Sequence, residues 1–289
     1  MFSYAEMTTR NIGFVTDAEQ IKLRDATVFV CGTGGMGGAA IMALVRAGVG
    51  NLILADIDEF EVSNINRQLF CNLNTVDQHK AEATKIQCLA LNPDMGIDVF
   101  HADWTDHVDD LVARADVVIN GTDDLGASLL LYRTARAKNR TVIDAYASPL
   151  PSVYVTKPAD QMPEERLGYP TIGTAWNALS DDQRAQSFLR EAEHVILNSS
   201  SRHYVDLDLA GEVAAGKRSR MSFAPMVIST GMLMAYETFA ILLNKPTATD
   251  ARGWFFNPYR GRVERPKPAL IAAILRPIVS RFLQKMMAG

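Results

Sequence analysis

Five short apolar runs divide the first 145 residues: Thr27–Cys31, Asn51–Asp56, Ile97–Phe100, Asp116–Asn120 and Thr141–Ala145. Between them lie stretches of helical period at about 38–47, 77–91, 106–114 and 125–138. A strand apolar on both faces must be covered on both sides, and the intervening helices supply that cover. The alternation predicts an α/β fold with a Rossmann-like, mostly parallel sheet and flanking helices. A capping box, Thr16-Asp17-Ala18-Glu19, opens a short helix ahead of the first strand.

The second half is less regular. A proline-rich stretch, 148–163, contains a predicted strand at Val153–Thr156. Ser180-Asp181-Asp182-Gln183 is a second capping box, and the helix after it shows one apolar face through Ala185, Phe188, Leu189, Ala192 and Ile196. Residues 198–220 read as an exposed loop with some local structure, and 254–257 with 261–264 as a strand pair. Residues 221–243 carry a single charge, Glu237, over a membrane-spanning length. Pro225, Gly231 and several hydroxyls favour a buried core or dimer-interface helix, so no transmembrane segment is expected. Residues 267–287 form a basic amphipathic helix with Arg276, Arg281 and Lys285, expected to break or kink at Pro277. No internal repeat and no linker divides the sequence. The chain therefore reads as one domain: a nucleotide-binding half, 1–145, a substrate and dimer-contact half, 146–266, and the terminal helix, 267–289.

Composition excludes several classes. Lys and Arg number 29 against 33 Asp and Glu, a net charge of -4, unlike a general nucleic-acid binder. The basic cluster Lys217-Arg218-Ser219-Arg220 is too short to argue for tRNA. The three cysteines, Cys31, Cys71 and Cys88, form no CxxC pair and no closed disulfide framework. No zinc is expected, and a reducing, cytoplasmic setting fits. The first residues lack the charged start and apolar run of a secretory signal.

The chemistry concentrates at the ends of the predicted strands. Gly32-Thr33-Gly34-Gly35-Met36-Gly37 lies between a strand and a helix, where glycines admit a phosphate to the free N–H groups of the helix start. Asp56, 19 residues after Gly37, suits a ribose hydroxyl. Dinucleotide and ATP both remain open at this point. Asp58 follows, then Asn64, Arg67 and Gln68 in a polar run. The Arg67 fork suits phosphate. Lys80 sits in a first helical turn, against the dipole unless an anion is near, and a phosphate would be that anion. Asp123, past the fourth strand, is placed to hold Mg²⁺ between phosphate oxygens. Its neighbour Asp124 could equally cap the next helix.

Together these residues resemble the E1-like family of ThiF, MoeB and HesA adenylyltransferases and the adenylation domains of ubiquitin-activating enzymes. The GxGGxG turn, Asp56-x-Asp58, Ser63-Asn64-x-x-Arg67-Gln68, Lys80, Asn92-Pro93 and Thr122-Asp123 stand in the family's order and spacing. The resemblance extends weakly to about Leu243. It implies ATP over Gly32–Gly37, including Gly34 and Gly35. Asp56 would hold the ribose, Asn64, Arg67, Gln68 and Lys80 the phosphates, and Asp123 the Mg²⁺. It implies adenylation of a carboxylate: the C-terminus of a ubiquitin-like or sulfur-carrier protein, a peptide, or a small acid. It also implies a homodimer in which Arg10 of one subunit reaches the other's ATP.

Three departures qualify the resemblance. The zinc-binding CxxC pairs of many relatives are missing, and no cysteine lies beyond Cys88, which points to activation without an enzyme thioester. Cys71 alone is near the expected site; Cys31 and Cys88 read as core. The family's asparagine after Asp123 is Asp124 here, and the arginine usual a few residues later is absent. Asp124 would add charge beside the metal acid, altering metal demand or raising one carboxylate. Two other readings stand beside adenylation: a NAD-dependent oxidoreductase, which leaves Arg67, Lys80 and Asp123 idle, and a catalytically weak ATP-binding partner of a biosynthetic complex.

Overall fold

The amino terminus forms two helices, α1 (Tyr4–Thr8) and α2 (Asp17–Asp25). The computed structural model describes residues 2–288 except Ala215, with the side chains of all of these but 214 and 284–288. The predicted capping box opens α2: Glu19 N–H donates to Thr16 Oγ1 at 3.2 Å, and Thr16 N–H to the Glu19 carboxylate at 2.8 Å. The expected alternation follows as β1 (Thr27–Cys31), α3 (Gly35–Arg46), β2 (Asn51–Ala55), α4 (Lys80–Leu91), β3 (Gly96–Phe100), α5 (Trp104–Arg114), β4 (Val117–Asn120), α6 (Leu125–Ala137) and β5 (Thr141–Asp144). Three helix starts differ from the sequence reading, the smallest change being α5, which begins at Trp104 rather than 106. α3 begins at Gly35, so the glycines themselves form its first turn. α4 begins at Lys80, because Asp77 has a left-handed φ of 66° that a helix cannot continue through.

The second half contributes β6 (Ser152–Thr156), α7 (Pro163–Leu167), α8 (Asp181–Asn198), α9 (Leu207–Ala214), α10 (Ala224–Leu242), β7 (Trp254–Asn257), β8 (Arg262–Glu264) and α11 (Ala269–Ala288). α1, α7 and α9 are additions to the predicted elements. α11 runs through Pro277 without the expected break. Leu275, Val279 and Phe282, on both sides of the proline, pack against Ala192, Ile196 and Leu197 of α8. The Lys285 side chain lies outside the described residues.

The sheet has eight strands in the order β3-β2-β1-β4-β5-β6-β7-β8. β1 to β5 are mutually parallel, and β6, β7 and β8 extend them antiparallel. Val28, Val30, Ile119, Ile143, Val153 and Val155 face α3, α4 and α10. Phe29, Val118 and Val142 face α5 and α6 through Leu111, Val112 and Leu131. α10 is long and apolar enough to cross a membrane by length and composition. One side of it lies against α3, so closely that a Cβ on Gly231 would stand 2.5 Å from Ala39 Cβ. That contact supports the core-helix expectation for this face.

The apolar stripe expected on α8 is divided between solvent and a neighbouring helix. Ala185 is exposed, while Ala192 and Ile196 are covered by α11. The side turned inward includes Ser187, Glu191, His194 and Asn198, and it closes over a polar cluster described below.

Candidate functional site

The chain runs from β1 outward to β2 and β3, then returns to β4 on the other side of β1. The crevice outside the carboxyl ends of β1 and β4 is thus a switch point, where open α/β sheets bind ligands. Two backbone turns form its floor. Gly32 N–H donates to Ala55 O at 2.7 Å, and Gly121 N–H to Cys31 O at 2.7 Å. Gly32 has φ 90°, and a Cβ there would stand 2.4 Å from the Gly121 carbonyl carbon. One on Gly37 would stand 1.9 Å from Gly32 O, and one on Gly35 2.5 Å from Val227 Cγ1 of α10. The chain's own packing therefore demands glycine at all three. Gly34 is different: the nearest atom to its added Cβ is Gln68 Nε2 at 3.4 Å. Packing leaves room there.

Gly34 is also the N-cap of α3, and among the described residues no side chain accepts from the helix's first N–H groups. These uncapped donors and the helix dipole favour an anion. Around them stand the polar residues of the loop after β2. Gln68 is buried at 7 % exposure, and its Oε1 has no hydrogen-bond partner among the described residues. An orphaned buried amide atom beside a glycine turn marks a place for a polar ligand. Arg67 lies along Gly35, its Cγ 3.9 Å from an added Cβ, and is steadied by donation from Nη1 to Ser63 O at 3.0 Å and Asn66 Oδ1 at 2.8 Å. Asn64 is buried and its Oδ1 accepts from Glu61 N–H at 3.2 Å, shaping the loop.

Two aspartates have structural partners. Asp56 Oδ2 accepts from Thr33 N–H at 2.7 Å and Thr33 Oγ1 at 3.0 Å, and its Oδ1 from Asp58 N–H at 3.0 Å. It ties the glycine turn to the end of β2. Lys80, at the first position of α4, places Nζ 2.7 Å from Asp58 Oδ2. Asp58 thus supplies an anion beside this first-turn lysine. Lys80 is nearly buried and Asp58 more than half exposed, so the pair faces the crevice from its carboxylate side.

Across the switch point, Asp123 projects from the turn after β4 with its side chain 82 % exposed. Arg220 Nη1 stands 3.8 Å from its Oδ2. Asp124 is the N-cap of α6, accepting from Ala127 N–H at 2.7 Å, and Arg184 Nη1 of α8 lies 2.7 Å from its other oxygen. The extra charge of Asp124 thus carries its own counter-ion. Sequence reasoning missed both arginines. A carboxylate in place of an amide asks for a cation, but nothing local says that residue 184 supplies it.

A buried polar row lies under this turn, also missed. Cross-strand register sets Asp144 opposite Tyr154, with Asn120 alongside. Asp144 Oδ2 accepts from Asn120 Nδ2 at 3.1 Å and Tyr132 Oη at 2.8 Å. Burial outweighs those bonds and pushes the Asp144 carboxyl up to about 6. α8 and α7 close the row. Tyr169 Oη donates to Glu191 Oε1 at 2.7 Å, and Arg166 Nη2 to Tyr146 Oη at 2.7 Å. Burial raises Glu191 to about 7 and, aided by Arg166, lowers His194 to about 3.

The remaining expected residues lie elsewhere. Cys31, Cys71 and Cys88 are free and buried. Burial raises the Cys71 thiol, and its Sγ is turned to Glu61 O, so the structure does not make it a reactive thiol. Arg10 is exposed at the other end of α3: its neighbour Asn11 donates to Ala47 O at 3.1 Å.

Comparison with known proteins bears on the family and the fold. The ThiF family profile matches residues 8–271. The chain is similar to the sulfur carrier protein ThiS adenylyltransferase of Escherichia coli, 36% identical over 129 residues, 44% of this chain and 51% of that protein. It is similar to the vegetative HesA protein of Trichormus variabilis, 33% identical over 134 residues, 46% of this chain and 50% of that one. It thus spans about half the length of these curated relatives. A structure of E. coli MccB with ATP shares the fold at a TM-score of 0.61 and 16% identity, covering 86% of this chain and 65% of that one.

Proposed function

Because the chain belongs to the ThiF family, we propose that it is an ATP-dependent adenylyltransferase that activates a carboxylate. The observation that carries this reading is the uncapped start of α3 at Gly34, with the unpaired Gln68 amide and the Arg67 and Lys80 cations beside it, facing Asp123 across the switch point. The triphosphate would lie along the N–H groups of α3, with Arg67, Lys80 and Asn64 on its oxygens. Asp56 retains lone pairs for the ribose while holding the turn. Asp123 is open to solvent and fits Mg²⁺, which would neutralise phosphate charge. The substrate carboxylate attacks the α-phosphorus, the bond to pyrophosphate breaks, and an acyl-adenylate forms. Such a transfer needs positioning and charge neutralisation rather than a covalent group on the protein.

The substrate class we infer is the C-terminus of a sulfur-carrier or ubiquitin-like protein, a peptide, or a small acid. The name of the E. coli relative, a ThiS adenylyltransferase, supports the first. We infer a homodimer in which Arg10 serves the partner's nucleotide. A nicotinamide reading would leave the Arg67, Lys80 and Asp123 cluster without a task. The test is ATP–pyrophosphate exchange across a panel of carboxylates. Exchange with one acid, abolished in Asp123→Ala, is expected. Tight ATP binding without exchange for any acid would make the chain a binding partner instead.

A further inference from the structure

A groove with no part in nucleotide binding opens between the carboxyl end of α8, β8 and α11. Its volume is about 540 Å³. Leu197, Leu275, Ile278 and Val279 make the floor apolar. Arg202, Arg265 and Lys267 line its rim, and among the described residues no carboxylate pairs with them. The groove's one acid, Glu264, is already engaged. It accepts from Ser200 N–H at 2.5 Å, Ser200 Oγ at 2.6 Å and Asn257 Nδ2 at 2.9 Å, and Arg262 Nη2 lies 3.2 Å away. Against the pull of burial, these bonds hold its carboxyl down at about 2. The rim therefore keeps a surplus of positive charge on a chain whose net charge is -4. The apolar floor continues outward along one face of α11, where Leu270, Ile274 and Ile278 are 76%, 65% and 61% exposed.

An apolar trough with an unpaired cationic rim is complementary to a segment that is apolar on one side and acidic on the other. α8 links this trough to the proposed active site. Its residue 184 holds Asp124, and its residue 198 lines the groove. Fourteen helical residues span about 21 Å, which an extended polypeptide covers in about six or seven residues. We propose that the groove docks an acidic amphipathic segment of the polypeptide whose carboxylate is activated, lying several residues before its C-terminus. Only the identity of that polypeptide rests on the adenylation reading; the docking itself is testable without ATP.

The probe is a labelled twelve-residue peptide of Glu and Leu with Leu at every third or fourth position. Binding to the full chain is expected, weakening several-fold as salt rises. It should fall at least about tenfold in Arg202→Glu/Arg265→Glu and in Ile278→Ser. A peptide with Lys for Glu, or with Ser for Leu, should not bind. The circular dichroism spectrum and urea midpoint of each variant, unchanged from the parent, show that it is folded. Failure of the Glu–Leu peptide to bind, or binding indifferent to either variant or to the sign of the peptide's charge, overturns the proposal. So does binding of the chain to phosphatidylglycerol vesicles with no binding of the peptide, which would assign the groove to a lipid surface. Loss of pyrophosphate exchange with peptide binding intact would instead count against the adenylation reading alone.

Discussion

At the scale of single residues, the glycine turn separates packing from ligand binding. An alanine at residue 37 would place Cβ 1.9 Å from Gly32 O, a contact with backbone that cannot give way. Gly37→Ala is expected to destabilise the fold by roughly 2–4 kcal/mol, read in urea unfolding. Gly34→Ala meets only the end of Gln68 at 3.4 Å. It should cost less in unfolding than Gly37→Ala and weaken ATP binding, since its methyl group covers the start of α3. Equal losses of stability in the two variants would refute this division. The glycine turn and Asp56 were legible as short motifs next to strand ends, whereas Arg67, Gln68 and Lys80 lie well past β2 and stood out by residue type and by the family's order. Arg184 was not, since it meets Asp124 across 60 residues of chain. Nor was the Lys80–Asp58 pair, for which the dipole argument asked for an anion but could not choose between side chain and ligand.

At the scale of elements, the strands were legible to within a residue because alternation of apolar runs and helices leaves few ways to cover both faces. The inner face of α8 was not. Its apolar stripe was real, but α11 covers part of it, while its polar side closes the row around Asp144. That row gives the protein a stability signature in pH. Asp144 is raised from 3.8 to about 6, so between those values the folded chain holds a proton that the unfolded chain has lost. Its contribution is full below the unfolded value and lost as pH rises through about 6. Glu191, raised to about 7, acts in the same sense, and His194, lowered to about 3, in the opposite one. Asp144→Asn removes one titration. Its stability relative to the parent is expected to rise by about 2–3 kcal/mol between pH 4 and pH 7, measured by urea unfolding at both. A pH-independent difference would place the Asp144 carboxyl at its ordinary value. Asp124 anchors the same region from α6. Asp124→Ala should cost about 1 kcal/mol or more through the lost cap, whereas Asp124→Asn should recover most of it.

At the scale of the whole molecule, the question is how Arg10 can serve a nucleotide. Within one chain it cannot be brought there by any small motion. Asn11 is bonded to Ala47 O and Tyr4 Oη to Gly48 O, fixing the amino-terminal segment at the far end of α3. The helix between them and the glycine turn is 12 residues long, about 18 Å at 1.5 Å per residue. A role for Arg10 in adenylation therefore requires a second copy. The sequence placed Arg10 by resemblance only, since a lone arginine before a helix has no pattern that tells its own site from a partner's. The structure makes the distinction testable by complementation. Arg10→Ala and Asp123→Ala chains should each be inactive in pyrophosphate exchange. After mixing and subunit exchange, half of all dimers are mixed in a two-fold assembly. In each of these, the chain with intact Asp123 receives the partner's intact Arg10, while its other site has neither. Recovery of about a quarter of parental exchange is the expected result. No recovery, with exchange of subunits shown independently, would remove Arg10 from the site and leave its conformation at the foot of α3 as a matter of packing alone.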